Sequence, residues 1–238
     1  MKNVLIVTAT KSKNIEEFQT RPLFKSLNRL YDHYKNVPNC SFDYVIIPNN
    51  SDGLSKVYNQ FITEENNSKI LLFVHDDLEI EEIALIEKLN EAIEKFDIVG
   101  LAGTNDFKIG DVTWHLNNTG QWRDKDKLSG TVGHKIDGKF FNSVFGEVPK
   151  RCIVIDGLFI AINVEKVLEK DWKFDESFNF NFYDLSSCLS ANTKGLKLGT
   201  WNIPVIHYSG GGGPNGYGSE PWKQDAQKFV DICNNLYK

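Results

Sequence analysis

Apolar residues in this chain fall into two kinds of pattern, short unbroken runs and stripes at helical spacing. Val4-Leu5-Ile6-Val7, Phe42–Ile47, Ile70–Val74 and Ile98–Ala102 are runs of strand length. Between them, Leu23, Leu27, Leu30, Tyr31 and Tyr34 predict a helix from Pro22 to Tyr34, with Pro22 suited to its first turn. Leu54, Val57, Tyr58, Phe61 and Ile62 predict a second helix after the turn cluster Pro48–Gly53. Ile83, Ile86, Leu89, Asn90 and Ile93 predict a third, from Glu81 to Glu94. Strands alternating with helices imply βαβ units, right-handed crossovers and a largely parallel sheet, whose ligands bind beyond the carboxyl ends of the strands. That rule lines up Thr8, Asn49, Asn50, Asp76, Asp77 and Gly103 along one edge.

The third run organises the rest. Lys69–Val74 is unbroken, as a strand covered on both faces should be, and it ends abruptly in His75-Asp76-Asp77. Adjacent aspartates repel each other unless a cation binds their oxygens, so they are read as the floor of a metal or nucleotide site. A turn followed by a helix N-cap explains them equally well.

Periodicity fails from Gly103 to Arg151, a stretch expected to be a functional loop or irregular β-structure. Cys152–Ile162 restores order as a strand, an Asp156-Gly157 interruption and a second strand. A helix opened by Asp184 carries Leu185, Cys188, Leu189 and Asn192 on one side and ends at Gly195. Ile203–Ile206 is a short strand delivering His207, and a last helix runs from Pro221 to Leu236.

Composition narrows the function class. A hydrophobic fraction of 41% and a charged fraction of 25% describe an ordinary globular protein, and 238 residues suffice for one large α/β domain. The net charge of −5 offers no general attraction to nucleic acid or anionic lipid. Cys40, Cys152, Cys188 and Cys233 form no CxxC pair and read as buried thiols of a reducing compartment. With no signal peptide and no run of membrane-spanning length, the expectation is a cytoplasmic protein, in which sequons such as Asn49, Asn66 and Asn117 carry no weight.

Five signatures in order complete the reading: Asn50-Ser51-Asp52-Gly53-Leu54-Ser55-Lys56-Val57-Tyr58-Asn59, His75-Asp76-Asp77, Val154-Ile155-Asp156-Gly157-Leu158-Phe159, Phe182-Tyr183-Asp184, and Gly195–Gly199 leading to Val205-Ile206-His207. Together they resemble glycosyltransferase family 2 and its relatives with the GT-A fold. The resemblance implies a GT-A-like three-layer α/β sandwich with a mostly parallel central sheet. It further implies one domain over residues 1–238, with 1–102 a nucleotide-sugar-binding half and 103–238 an acceptor-binding half.

The activity implied is inverting transfer of a sugar, of hexosyltransferase type, from a nucleoside-diphosphate sugar, UDP favoured, to a carbohydrate hydroxyl, as in surface polysaccharide synthesis. A divalent cation, Mn²⁺ or Mg²⁺, would neutralise the diphosphate. Asp77 matches the last acid of the family's Asp-x-Asp motif and is the first metal ligand, while His75 replaces the motif's first acid. His207 is the second ligand, since imidazole suits Mn²⁺, with a structural histidine as the plainer reading. Asp76 would contact ribose or metal-bound water. Donor recognition falls to Thr8, Ala9, Asn50, Ser55, Tyr58, His75 and Asp76. Tyr58 stands where relatives often carry arginine, so its contact with the base would be stacking.

Asp184 matches the family's catalytic base, its alternative being a helix N-cap. Asp156 is the acceptor-side acid or part of an Asp-Gly turn. Trp114, His115 and Trp122 offer flat faces to an acceptor ring or pack a large loop. The glycine run from Ser209 to Gly218 either folds over the diphosphate or links to the last helix. Two other functions compete: a degenerate relative that binds nucleotide sugar or glycan without turnover, and a nucleotidyltransferase, against which the lack of a Gly- and Arg/Lys-rich loop after the first strand counts.

Overall fold

A computed structural model describes residues 1–38, 40–208 and 216–236. In chain order it contains β1 (Val4–Ala9), α1 (Ile15–Phe18), α2 (Pro22–Tyr34), β2 (Phe42–Ile47), α3 (Leu54–Asn59), β3 (Ile70–Val74), β4 (Leu78–Ile80), α4 (Leu85–Ile93), β5 (Ile98–Gly100) and β6 (Ala102–Thr104). There follow β7 (Leu128–Ile136), β8 (Lys139–Gly146), β9 (Lys150–Cys152), β10 (Val154–Ile155), β11 (Phe159–Asn163), α5 (Val164–Glu169), α6 (Tyr183–Thr193), β12 (Leu198–Thr200), β13 (Val205–His207) and α7 (Glu220–Leu236).

The main sheet has the order β2-β1-β3-β11-β5-β12-β9. β2, β1 and β3 are mutually parallel, as are β5 and β12, whereas β11 runs antiparallel to both its neighbours and β9 antiparallel to β12. This is the mostly parallel α/β arrangement expected of a GT-A-like sandwich. Every residue of β3 is buried, which an unbroken Ile-Leu-Leu-Phe-Val run requires of a strand covered on both faces. Phe73 stacks on Tyr58 of α3 and meets Phe174 edge-on, while Tyr34 of α2 reaches Glu87 on α4 through its hydroxyl.

α2 begins and ends where its pattern places it, with Pro22 in the first turn and Leu23, Leu27, Leu30 and Tyr34 buried. Tyr31 lies off that stripe and is exposed. α6 ends in a paired turn: Gly195 takes φ +77, its amide donates to the Asn192 carbonyl, and Leu196 N–H donates to the Ala191 carbonyl.

Two expectations change. The predicted helix at Glu81 starts only at Leu85, and the residues before Glu81 form an unforeseen strand, Leu78–Ile80, that pairs antiparallel with β13. The segment from Gly103 to Arg151 contains an ordered hairpin, β7 with β8, in a second sheet of order β10-β6-β7-β13-β4 with β8 alongside β7. Its turn is Asp137-Gly138, with φ of +49 and +76, the left-handed geometry that Asp-Gly favours between two strands. Among the described residues no helix is long and apolar enough to cross a membrane. The reading of the glycine run falls largely on residues 209–215, which lie outside the described residues.

Phe73 joins β3 to the aromatic cluster beneath the cleft, so Phe73→Ala is expected to lower stability by about 3–5 kcal/mol, read from the urea midpoint at unchanged slope.

Candidate active site

Beyond the carboxyl end of β3 the chain makes a turn, His75-Asp76-Asp77, before β4. The turn forms part of the wall of a cleft of about 560 Å³ whose other walls come from Ala9–Ser12 after β1, Asn50–Asp52 before α3, Arg21 at the start of α2, and Asn179-Phe180. Asp76 is tied down on both oxygens: Arg21 Nη2 donates to Oδ1 at 2.8 Å and Thr10 Oγ1 donates to Oδ2. Its carbonyl accepts from Leu23 N–H in the first turn of α2 at 3.2 Å. Asp77 also lines the cleft, with Oδ2 3.4 Å from His207 Nε2. The Asp77 carbonyl also accepts from Tyr208 N–H, which fixes the end of β13 against the turn.

His75 connects this cleft with a smaller cavity of about 210 Å³ that contains Asp156 and Asp184. Its ring stacks near Phe180 at 6.0 Å, and Nε2 lies 3.5 Å from the Tyr183 hydroxyl. Burial lowers the His75 pKa, although Asp77 and Asp156 pull the other way, so the ring between the two cavities is held towards neutrality.

Asp184 sits in the first turn of α6 but is not its N-cap: that position belongs to Phe182, which takes φ +63 and makes no side-chain cap. Instead Asp184 Oδ2 accepts from Gly157 N–H and Oδ1 from Leu185 N–H, both at 2.9 Å. These amides favour the ionised form, but burial first and the charge of Asp156 second outweigh them and push the carboxyl up to about 7. A carboxylate with that pKa can accept a proton near neutrality. Asp156 is oriented by Trp114 Nε1–H, which donates to Oδ2 at 2.7 Å, and by Leu158 N–H, which donates to Oδ1 at 2.9 Å.

A family model described as "Glycosyltransferase like family" matches residues 20–231. The chain belongs to this glycosyltransferase-like family. Among solved structures, the crystal structure of A197 from STIV aligns at a TM-score of 0.46 and 14% identity, over 88% of this chain and 86% of that one. The structure of GalNAc-T7 with UDP, GalNAc and Mn²⁺ aligns at a TM-score of 0.45 and 13% identity, over 98% of this chain and 48% of that one. At that distance neither informs on ligand or chemistry. Comparison with curated protein sequences returns no match.

For this family member, the structure brings most of the sequence-selected residues together. Ala9, Asn50, His75, Asp76 and Asp77 line the larger cleft. His75, Trp114, His115, Asp156 and Asp184 line the smaller cavity. Thr8, Ser55 and Tyr58, chosen as donor contacts, do not reach either. Thr8 and Ser55 are buried in the core, and Tyr58 is 1% exposed beneath the cleft, packed on Phe73, Phe174 and Tyr183. Tyr58 therefore supports the floor rather than stacking on a base. Sequence reading did not foresee that Thr10 and Arg21 fix Asp76. Arg21 stands one residue before the proline that opens α2, just outside the periodic stretch.

Among the described residues no group of three His, Cys, Asp or Glu side chains is placed to hold an ion. A cation here would take Asp77 and His207, whose 3.4 Å separation suits two neighbouring donors around one ion, and complete its shell from phosphate oxygens and water. One carboxylate and one imidazole form a set that fits Mn²⁺ better than Mg²⁺.

The raised carboxyl of Asp184 makes stability depend on pH. Unfolded, it titrates near 3.8, and folded at about 7, so between those values the native state binds more protons and stability falls as pH rises. The melting temperature of Asp184→Asn relative to wild type is expected to climb between about pH 4 and about pH 8 in paired thermal melts. A difference that stays flat across that range would mean that the carboxyl is not perturbed.

Proposed function

We propose that this protein is an inverting glycosyltransferase that moves a sugar from a nucleoside-diphosphate donor, with UDP favoured, to a hydroxyl of a carbohydrate acceptor. The observation that carries the reading is Asp184, a carboxyl with a pKa of about 7 in a cavity that His75 joins to the Asp76-Asp77 cleft. Residues 1–102 supply most of the donor side and residues 103–238 most of the acceptor side, within one domain. Surface polysaccharide assembly in the cytoplasm is the setting this activity fits.

The larger cleft accepts the nucleotide, with Lys11 and Arg21 as the cations among its lining residues. When bound by Asp77 and His207, a divalent cation supplies charge neutralisation to the departing diphosphate. On the other side of His75, the Asp184 carboxylate takes the proton of the acceptor hydroxyl as its oxygen bonds to the anomeric carbon. The bond from that carbon to the diphosphate oxygen breaks on the opposite face, and the nucleoside diphosphate leaves. Phe180 and Tyr183 wall this region and keep water from competing for the sugar.

Two measurements test the reading. In a thermal-shift panel of nucleoside diphosphates with and without Mn²⁺, one base is expected to raise the melting temperature in a metal-dependent way. Asp77→Asn should lose that response, while Asp184→Asn should keep it. With the donor so identified, kcat/KM should rise with pH to a plateau above an apparent pKa of about 7, because the base must be unprotonated. Asp184→Asn should lower turnover by roughly 10²–10⁴-fold. Wild-type turnover in both variants would end the proposal, and nucleotide binding without transfer to any hydroxyl would favour the binding-only alternative.

A further inference from the structure

A third cavity, of about 370 Å³, shares Trp114, His115, Asp156 and Leu158 with the cavity that holds Asp184 and takes about half of its wall from the β7–β8 hairpin. Its walls are flat. Trp122 lies nearly parallel to Phe145, at 17° and 6.3 Å, and His134 nearly parallel to Phe141, at 17° and 4.9 Å. Trp122 is 62% exposed and Phe141 48% exposed, a large apolar area to leave in water beside a cavity. Two ring nitrogens in the walls, Nδ1 of His115 and Nδ1 of His134, are buried without a hydrogen-bond partner. Among the described residues no Lys or Arg lines the cavity, and the carboxylate in its walls is Asp156.

We propose that this slot is the acceptor subsite and that it takes a neutral pyranose, stacked on Trp122 and Phe141, in preference to an acidic sugar. The term acceptor rests on the transferase reading; the ligand class rests on the slot itself. A pyranose has an apolar C–H face that matches an aromatic plane and a rim of hydroxyls that both donate and accept. Neutral imidazole also offers one donor and one acceptor, which pairs it with hydroxyls rather than with anions. Burial holds the His115 pKa below its ordinary value, in keeping with that form. A uronic or phosphorylated sugar would bring a second negative charge beside Asp156 with no Lys or Arg among the described wall residues to offset it, and this disfavours it in the absence of a cation at His207. The hairpin residues His134 and Phe141 thus set acceptor class, although they lie far along the chain from the donor cleft.

Saturation-transfer NMR on the full chain, with methyl β-D-glucopyranoside, methyl β-D-galactopyranoside and methyl β-D-glucuronide as probes, decides the matter without any donor present. At least one neutral pyranoside is expected to receive saturation on its ring C–H protons, and the glucuronide at least about tenfold less. Trp122→Ala and Phe141→Ala should each weaken binding by about tenfold or more at an unchanged melting temperature, and Trp122→Phe should restore part of it. Silence from both neutral probes, an equal response from the glucuronide, or undiminished binding in both alanine variants overturns the proposal. Since no nucleotide enters the experiment, a missing nucleoside-diphosphate response would sink the transferase reading alone and leave this result standing.

Discussion

The antiparallel pairing of β3 with β11 is the constraint on which the site depends. Because the two strands run in opposite directions, the carboxyl end of β3 meets the amino end of β11: Val74 lies opposite Phe159, and His75 N–H donates to the Leu158 carbonyl at 3.1 Å. Two acidic turns distant in sequence, His75-Asp76-Asp77 and Asp156-Gly157, are therefore neighbours at the same edge. A parallel strand in the place of β11 would carry its own carboxyl end there and send the second turn to the far side of the sheet. α6 is then fastened to this pair, since Gly157 N–H donates to Asp184 and the Tyr183 hydroxyl donates to the Gly157 carbonyl at 2.7 Å.

That arrangement gathers negative charge, and the surroundings treat its members differently. Asp76 accepts hydrogen bonds from Arg21 and Thr10, and Asp156 from the Trp114 indole and a backbone amide, so both side chains are held in place. Asp184 also receives two amides, yet its burial and the nearby Asp156 charge prevail and leave it near neutrality of titration. A carboxyl raised in this way is what acid–base chemistry at neutral pH requires, and its burial costs stability in the process. The aromatic cluster of Tyr58, Phe73, Phe174 and Tyr183 holds the floor rigid beneath them.

Much of the fold could be read from the chain because local signals agreed with tertiary ones. α2 and β2 begin and end where periodicity and Pro22 place them, and the turn after β3 lies where the apolar run stops. β4 was not legible: Leu78-Glu79-Ile80 is too short for its alternation to stand out, and its pairing with the distant β13 makes it a strand. The hairpin carried a usable signal in Asp137-Gly138, masked by irregular sequence on both sides. Within the site, Asp77, Asp156 and Asp184 were singled out because they match acidic positions of the family that the chain resembles. Thr8, Ser55 and Tyr58 were misplaced because a strand or helix end near a cleft says which residue is close, not which way its side chain turns. Arg21 meets Asp76, a neighbour far away in sequence, which no local pattern records.

The most direct test of the account is a crystal structure of the protein with UDP and Mn²⁺. The account predicts Mn²⁺ between Asp77 and His207, the diphosphate in the cleft beside Arg21, and its terminal phosphate directed past His75 towards Asp184. Nucleotide bound elsewhere on the molecule, or a diphosphate pointing away from the Asp156–Asp184 cavity, would contradict it.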